Sequence, residues 1–207
     1  MTGHTVLLAD DDVQVANVVS KLLESAGHTV VGKAANGNDA VWLNQTLCPD
    51  VAIVDLQMPV TDGLQASKKM METRPVPIVI CTAFYDDKLI NKASNNGVYA
   101  YVVKPCRLAD ILPAINVAIS RFEETRLLKS ELDSMREALE ARKWIEQAKG
   151  IVMRTRQLQE ADAHRFLQQQ SQRQSKPLHE IAKAIVVAED ALSPKLYGSG
   201  SVKRCRM

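Results

Sequence analysis

The fold of this chain is indicated first by the stretch VAIVDLQMPVTDGL, residues 51–64, in which four consecutive apolar residues lead directly into an acid. Short runs that are apolar at every position are typical of strands covered on both faces, as in a parallel sheet packed between helices. A strand that ends on Asp55 can present that carboxylate at the edge of the sheet. Whether Asp55 is an isolated polar residue or part of a site depends on what else reaches that edge.

Four other short, β-branched segments predict strands: TVLLA (5–9), TVVGKA (29–34), IVIC (78–81) and AYVV (100–103). Apolar residues between them recur at helical spacing, as from Val15 to Leu23, and Gly27 predicts the end of that first helix. Strands that alternate with helices predict an α/β domain with a doubly wound parallel sheet. Ligands of such sheets bind at the carboxyl ends of the strands, near the point where strand order reverses.

From Leu108 onward the pattern is helical only, and Pro113 falls in the first turns of a helix, where proline is tolerated. A narrow apolar seam then steps by four, three and four residues, which predicts a short coiled coil and hence a dimer: Leu128, Leu132, Met135 and Leu139. The alternative is an amphipathic helix packed on its own chain. Helical segments at 142–153, 160–171 and 178–191 predict a small three-helix bundle, followed by a basic, disordered tail.

Composition excludes several classes of protein. The chain has 207 residues, of which 46% are hydrophobic, enough for one ordinary domain and a smaller module. Neither a secretory leader nor a stretch near the ~18–20 apolar residues of a membrane helix is present, so no membrane is expected. The four cysteines show no metal-site or framework spacing: Cys48, Cys81, Cys106 and Cys205. Two lie in apolar runs and are interpreted as small buried hydrophobic residues, and a reducing cytoplasm fits best.

Charge is distributed unevenly along the chain, although the net charge is only +2. Residues 1–120 carry 9 basic and 12 acidic side chains, whereas residues 121–207 carry 17 and 12. The asymmetry suggests an acidic module joined to a basic one, and the basic one could meet a polyanion.

Polar residues follow four of the predicted strands: Asp10, Asp11 and Asp12 after the first, Asp55 at the end of the third, Thr82 after the fourth, and Lys104 with Pro105 after the fifth. Carboxyl ends of parallel strands share one rim, so these groups should converge. Clustered carboxylates need a compensating cation, and oxygen ligands suit Mg²⁺. One carboxylate beside Mg²⁺ can act as a nucleophile and form an aspartyl phosphate, with Lys104 as a second cation. Asp12 has an alternative role as the N-cap of the first helix.

The motifs LLADDD, VDLQMPVTDG, CTAF and YVVKP make residues 1–120 resemble a two-component receiver domain. The resemblance implies a flavodoxin-like, five-stranded parallel sheet in the order 2-1-3-4-5. It implies that a cognate histidine kinase phosphorylates Asp55. Mg²⁺ would be held by Asp10, Asp11, Asp55 and the backbone carbonyl of Gln57. It further implies a switch hydroxyl, a rotating aromatic ring, a phosphate-contacting lysine and a cis proline: Thr82, Tyr101, Lys104 and Pro105. Departures from the family pattern are Asp12, where Glu is common, and Cys106, where Phe is frequent.

The segments RKWIEQAKGIVM (142–153) and LHEIAKAIV (178–186) are similar to the ANTAR domain, a three-helix RNA-binding module of transcription antiterminators. The resemblance implies leader-RNA hairpins as partners. His164 and Gln168 depart from residues common in that family. Five basic residues are candidates for phosphate contacts, with a solvated helix face as the alternative for each: Lys149, Arg154, Arg156, Arg165 and Arg173. DNA is a less expected partner, because no short glycine-containing turn precedes a recognition helix.

Together these patterns predict a receiver at 1–120, a coiled-coil linker at 121–141, an RNA-binding bundle at 142–192 and a disordered tail at 193–207. The first hypothesis is a phosphorylation-controlled antiterminator that dimerises on activation and is not an enzyme. A second keeps the receiver and makes the bundle a protein-binding module sequestered by a sensor partner. A third, a phosphatase with Asp55 as nucleophile, is disfavoured because Gln57 stands where haloacid-dehalogenase-like enzymes usually carry a second Asp.

Overall fold

The structure, a computed structural model, describes residues 3–83 and 97–192. The predicted disordered tail at 193–207 and Cys205 lie outside the described residues. The chain divides into two compact units, Met1–Leu128 and Lys129–Met207. This division falls within the predicted coiled-coil linker, and the finer boundaries of the linker stay a prediction.

The first unit contains a five-stranded parallel sheet, counted over the described residues, and its order is β2-β1-β3-β4-β5. Both the parallel sheet and its order confirm the prediction. Every residue of β3 and β4 is buried, which is why these two strands are apolar up to their last residues. The strands are β1 (Thr5–Ala9), β2 (Thr29–Ala34), β3 (Val51–Asp55), β4 (Ile78–Thr82) and β5 (Val98–Val103).

Helices cover the sheet and form the second unit. The described part of the chain has α1 (Val13–Ser25), α2 (Gly37–Leu47), α3 (Gly63–Thr73), α4 (Leu108–Arg156), α5 (Glu160–Gln174) and α6 (Leu178–Leu192). Three of them begin at a side chain that accepts hydrogen bonds from first-turn backbone amides: Asp12, Asn36 and Asp62. Two separate apolar clusters line the two faces of the sheet, as a doubly wound arrangement requires. None of the described helices is long and apolar enough to span a membrane.

Helix α4 runs without interruption for 49 residues and includes Pro113 five residues after its start. The predicted seam is exposed along it: Leu128 is 55%, Leu132 53%, Met135 68% and Leu139 55% exposed. Such exposure disfavours the alternative in which these residues pack on their own chain. A row of large apolar side chains at heptad spacing is what a second helix would cover.

The second unit has its own core, built where the last turns of α4 meet α5 and α6. Its centre consists of small and medium apolar residues with no exposed surface: Ala148, Ala163, Leu167 and Ala182. Alanine at three of these positions lets the helices approach closely. The unit is three-helical, as predicted.

We expect Gly150→Ala to stabilise this second unit. Gly150 lies inside α4, where glycine costs about 0.5–1 kcal/mol relative to alanine. A Cβ there would have one neighbour within 4 Å, the Arg154 Nη1 atom at 3.7 Å, which is an ordinary contact. Thermal unfolding should therefore show a higher midpoint for the second unit. Gly97→Ala is the control and should destabilise its unit, because Gly97 has φ +81° and a Cβ would collide with Met71.

Candidate functional site

Three carboxylates from two strand ends come together at one rim of the sheet. Asp55 is the last residue of β3, and Asp10 and Asp11 directly follow β1. One oxygen from each of the three lies within 4.8 Å of the others. Asp10 and Asp55 are buried, whereas Asp11 is exposed. This convergence is the one expected from the carboxyl ends of parallel strands.

The Lys104 ammonium bridges the two buried acids. Its Nζ atom lies 2.7 Å from Asp10 Oδ2 and 2.9 Å from Asp55 Oδ2. The Lys104 backbone N–H donates to the Thr82 carbonyl at 2.8 Å, which fixes the start of the loop after β5 beside the end of β4. The Lys104–Pro105 peptide bond is cis.

The charges in this site are not balanced by Lys104 alone, because one ammonium faces two buried carboxylates and Asp11 adds a third. Burial raises the pKa of Asp55; the hydrogen bond and charge of Lys104 oppose this, and the charge of Asp10 adds to it. For Lys104, burial lowers the pKa, but hydrogen bonds and attraction to Asp10 and Asp55 outweigh it and the pKa is raised. An additional cation would relieve the repulsion that remains. The three acids can therefore hold a metal ion.

Backbone contacts hold the acids in place. The Asp12 N–H donates to Asp10 Oδ1 at 3.0 Å, and the Gln57 N–H donates to Asp55 Oδ1 at 3.4 Å. The Asp12 side chain caps α1, with its Oδ1 2.8 Å from the Gln14 nitrogen. The role of Asp12 as an N-cap is thus the one found. A Cβ on Gly63 would collide with the Asp55 carbonyl, so the turn after β3 requires glycine at this position.

Thr82 and Tyr101 also lie on the strands that end at this rim. Thr82 is the last residue of β4 and is buried. Tyr101, in β5, pairs with Ile80 and packs half-buried against the apolar cluster on one face of the sheet. Burial raises the pKa of Tyr101.

The five basic candidates of the second unit differ in how they are used. Arg154, Arg165 and Arg173 are exposed. Arg156 places its guanidinium 4.2 Å from the centre of the Phe166 ring. Lys149 lies 2.9 Å from Glu146 and 2.7 Å from Glu160.

The ion pairs of Lys149 disfavour the predicted role of this residue as an RNA contact. Hydrogen bonds to Glu160 and Glu146 raise the pKa of Lys149, and the hydrogen bond from Lys149 lowers the pKa of Glu160. The amine thus joins α4 to the first residue of α5, and its charge is matched by two acids of its own chain. The sequence did not indicate this, because Glu160 lies 11 residues away along the chain.

The cysteine interpretation holds for Cys81 but is incomplete. Cys81 is buried, as expected of a small hydrophobic residue, and its sulfur atom contacts that of Cys106, 25 residues away along the chain. Spacing along the chain is uninformative here, because the two residues are brought together by the pairing of β4 with β5. Their neighbours could have signalled it: Cys81 precedes Thr82, Cys106 follows Pro105, and both neighbours were predicted to converge. Cys48 is a free, exposed thiol.

Comparisons with known proteins agree with this arrangement. Residues 6–116 match the response regulator receiver domain, and residues 133–186 match the ANTAR domain. The chain is 35% identical over 190 residues to the transcriptional regulatory protein PdtaR of Mycobacterium tuberculosis, covering 92% of each chain. It is 30% identical over 115 residues to the chemotaxis protein CheY of Thermotoga maritima, covering 55% of this chain and 96% of that protein.

Among solved structures, the signal receiver domain of a modulated diguanylate cyclase from Desulfovibrio desulfuricans G20 superposes with a TM-score of 0.55. It is 26% identical and covers 60% of this chain and 99% of that domain. The sheet order, the acidic rim with its lysine and the two family matches lead to one conclusion. The chain belongs to the response regulators, with an N-terminal receiver domain and a C-terminal ANTAR domain.

Proposed function

We propose that this protein is a response regulator phosphorylated on Asp55 by a cognate histidine kinase in the cytoplasm. Phosphorylation would control dimerisation and RNA binding, and thereby transcription antitermination. The proposal is carried by one observation: Asp55 shares a rim with Asp10 and Asp11, with Lys104 Nζ 2.9 Å from its carboxylate. The similarity to PdtaR, a transcriptional regulatory protein, supports a regulatory role without turnover.

The donor set fits Mg²⁺. It consists of the carboxylates of Asp10, Asp11 and Asp55, to which we add the backbone carbonyl of Gln57. All four ligands are oxygen atoms, which hard divalent cations prefer. When bound, Mg²⁺ supplies positive charge to the phosphoryl oxygens and to the acids around them. Asp11 is the exposed member, so it offers the cation a ligand that faces solvent.

The chain's own residues would then carry out the transfer. An Asp55 oxygen attacks the phosphorus of the phosphohistidine, and the bond from phosphorus to the kinase histidine breaks. Lys104 exchanges the two carboxylates that it now contacts for a phosphoryl oxygen, and the Thr82 hydroxyl donates to another. Movement of Thr82 toward the phosphoryl group would leave room for Tyr101 to turn inward.

We expect Asp11→Asn to weaken Mg²⁺ binding by roughly tenfold or more, since a charged ligand is replaced by a neutral one. The fold should be retained because Asp11 is exposed. Isothermal titration calorimetry with MgCl₂ measures the change. Asp12→Asn is the matched control: it removes one carboxylate from the neighbouring position, and asparagine caps a helix as well as aspartate. Equal Mg²⁺ affinities for the two variants would contradict the proposed ligand set.

For the output module we propose that RNA phosphates are contacted by Arg154, Arg165 and Arg173, with Arg156 at the edge of the same surface. Lys149 is left out because two acids of its own chain pair with it, whereas Arg165 has one exposed partner, Asp162, at 3.6 Å. A dimer joined along the α4 seam would bring two such surfaces to two hairpins. The domain limits 1–120, 121–141, 142–192 and 193–207 belong to this proposal.

The proposal is tested by salt-titrated binding of the full chain to a leader RNA whose hairpins overlap a terminator, with and without acetyl phosphate and Mg²⁺. Three arginines in each of two protomers would make six phosphate contacts, for which affinity falls on the order of a thousandfold between 50 and 200 mM salt. Addition of the phosphodonor should tighten binding. Absence of RNA binding, together with a stable complex with a sensor protein, would instead support the sequestered protein-binding module.

A further inference from the structure

The sulfur atoms of Cys81 and Cys106 contact each other directly beside the proposed phosphorylation site. Cys81 is the residue before Thr82 in β4, and it pairs across the sheet with Asp55. Cys106 follows the cis Lys104–Pro105 bond. The two cysteines therefore lie next to the residues whose hydroxyl and ammonium are proposed to contact the phosphoryl group, Thr82 and Lys104.

The two sulfur atoms differ in their access to solvent. Cys81 is 3% exposed and lies in the apolar cluster with Val102 and Ile111. Cys106 is half-buried and lines a surface cavity of about 500 Å³ together with Val15, Val18 and Pro105. A small oxidant or thiol in this cavity can reach Cys106, whereas Cys81 is reached through Cys106.

We propose that Cys81 and Cys106 form a reversible redox site that interconverts between a dithiol and a disulfide. With hydrogen peroxide as oxidant, the Cys106 sulfur attacks one peroxide oxygen, the O–O bond breaks, and a sulfenic acid and water form. The Cys81 sulfur then attacks the Cys106 sulfur, and the S–O bond breaks to release a second water molecule. Two thiols and one peroxide thus become one disulfide and two waters. A dithiol reductant returns two electrons and two protons.

Oxidation should slow phosphorylation, an effect that rests on the proposed function of Asp55. Acceptance of a phosphoryl group requires Lys104 to leave Asp10 and Asp55, which it contacts at 2.7 and 2.9 Å. A disulfide between Cys81 and Cys106 would tie the loop that carries Lys104 to the end of β4, next to Thr82, and hold this paired arrangement. In the dithiol form the loop is free to follow the incoming group.

The test uses the full chain with Cys48 and Cys205 replaced by serine, so that Cys81 and Cys106 are the remaining thiols. We expect hydrogen peroxide to remove two hydrogen atoms from the intact mass, and proteolysis to give a peptide linked through residues 81 and 106. Dithiothreitol should reverse both. A permanent gain of oxygen on Cys106 without linkage would overturn the proposed site, as would an unchanged mass.

Phosphorylation by acetyl phosphate and Mg²⁺ is then compared between the two forms. We expect the oxidised protein to accept the phosphoryl group about tenfold more slowly, equivalent to ~1.4 kcal/mol in the barrier. Cys106→Ser and, separately, Cys81→Ser should show the same rate before and after peroxide. Equal rates for the linked and reduced forms would overturn the coupling. If neither form is phosphorylated, the proposed function of Asp55 fails, whereas the mass measurements still decide the redox site.

Discussion

Asp55→Asn is expected to abolish phosphorylation by acetyl phosphate, with a loss of at least about a thousandfold, the scale seen when a nucleophile is removed. The amide oxygen of asparagine is a poor nucleophile and carries no charge for a metal ion. The variant should still fold, because asparagine has the shape of aspartate. In the wild type, the charge of Asp10 is one of the causes that raise the pKa of Asp55. The neutral asparagine removes this repulsion. Incorporation is measured by intact mass after incubation with the donor and Mg²⁺.

Asp62→Asn is the matched control for this experiment. Asp62 lies in the loop after β3, is half-buried, and caps α3 by accepting from the Gln65 amide at 2.7 Å. Asparagine preserves such a cap, so phosphorylation and stability should remain near those of the wild type. Phosphorylation of the Asp55→Asn variant at the wild-type rate would place the acceptor elsewhere and refute the proposed chemistry of the rim.

Leu132→Glu combined with Leu139→Glu is expected to abolish dimerisation. The two leucines are 53% and 55% exposed along α4 and contribute to the seam, so a dimer would bring four carboxylates into an apolar interface. Burial of unpaired charge is costly, and the monomer should dominate. The loss of the second RNA-binding surface should weaken binding to a two-hairpin RNA by roughly 10²–10⁴-fold. Analytical ultracentrifugation after treatment with acetyl phosphate gives the oligomeric state, and RNA titration gives the affinity.

The control adds the same two charges to a different face of the same helix. Ser130→Glu combined with Ser134→Glu lies away from the seam by helical spacing, so the variant should still dimerise. Any general electrostatic penalty on RNA binding is shared by both double variants and cancels in the comparison. A wild-type dimer in the Leu132→Glu, Leu139→Glu variant would show that the seam is not the dimer contact.

The rim of acids could be predicted from the sequence because of one property of parallel sheets: all carboxyl ends lie on the same edge. Polar residues that immediately follow apolar runs, such as Asp10 after β1 and Lys104 after β5, are therefore brought together by the fold itself. The N-cap role of Asp12 followed from its position shortly before the first helical pattern. The three-helix unit followed equally from its periodicity.

Other contacts could not be predicted from spacing. Lys149 looked like a free basic residue, yet Glu160 reaches it from the start of α5. Cys81 looked like an ordinary apolar residue of a buried strand, yet Cys106 reaches it from the loop after β5. In both cases the partner is remote along the chain and is placed by the packing of another element.

By itself, the sequence determined the elements, the two-part organisation and the acids that meet at the sheet edge, because hydrophobic periodicity and strand direction are local properties. Only the tertiary structure decided which charges are paired and which thiol meets which. It also decided that the apolar seam on α4 stays exposed among the described residues. Those outcomes depend on distances of a few ångströms between elements that the order of residues along the chain does not specify.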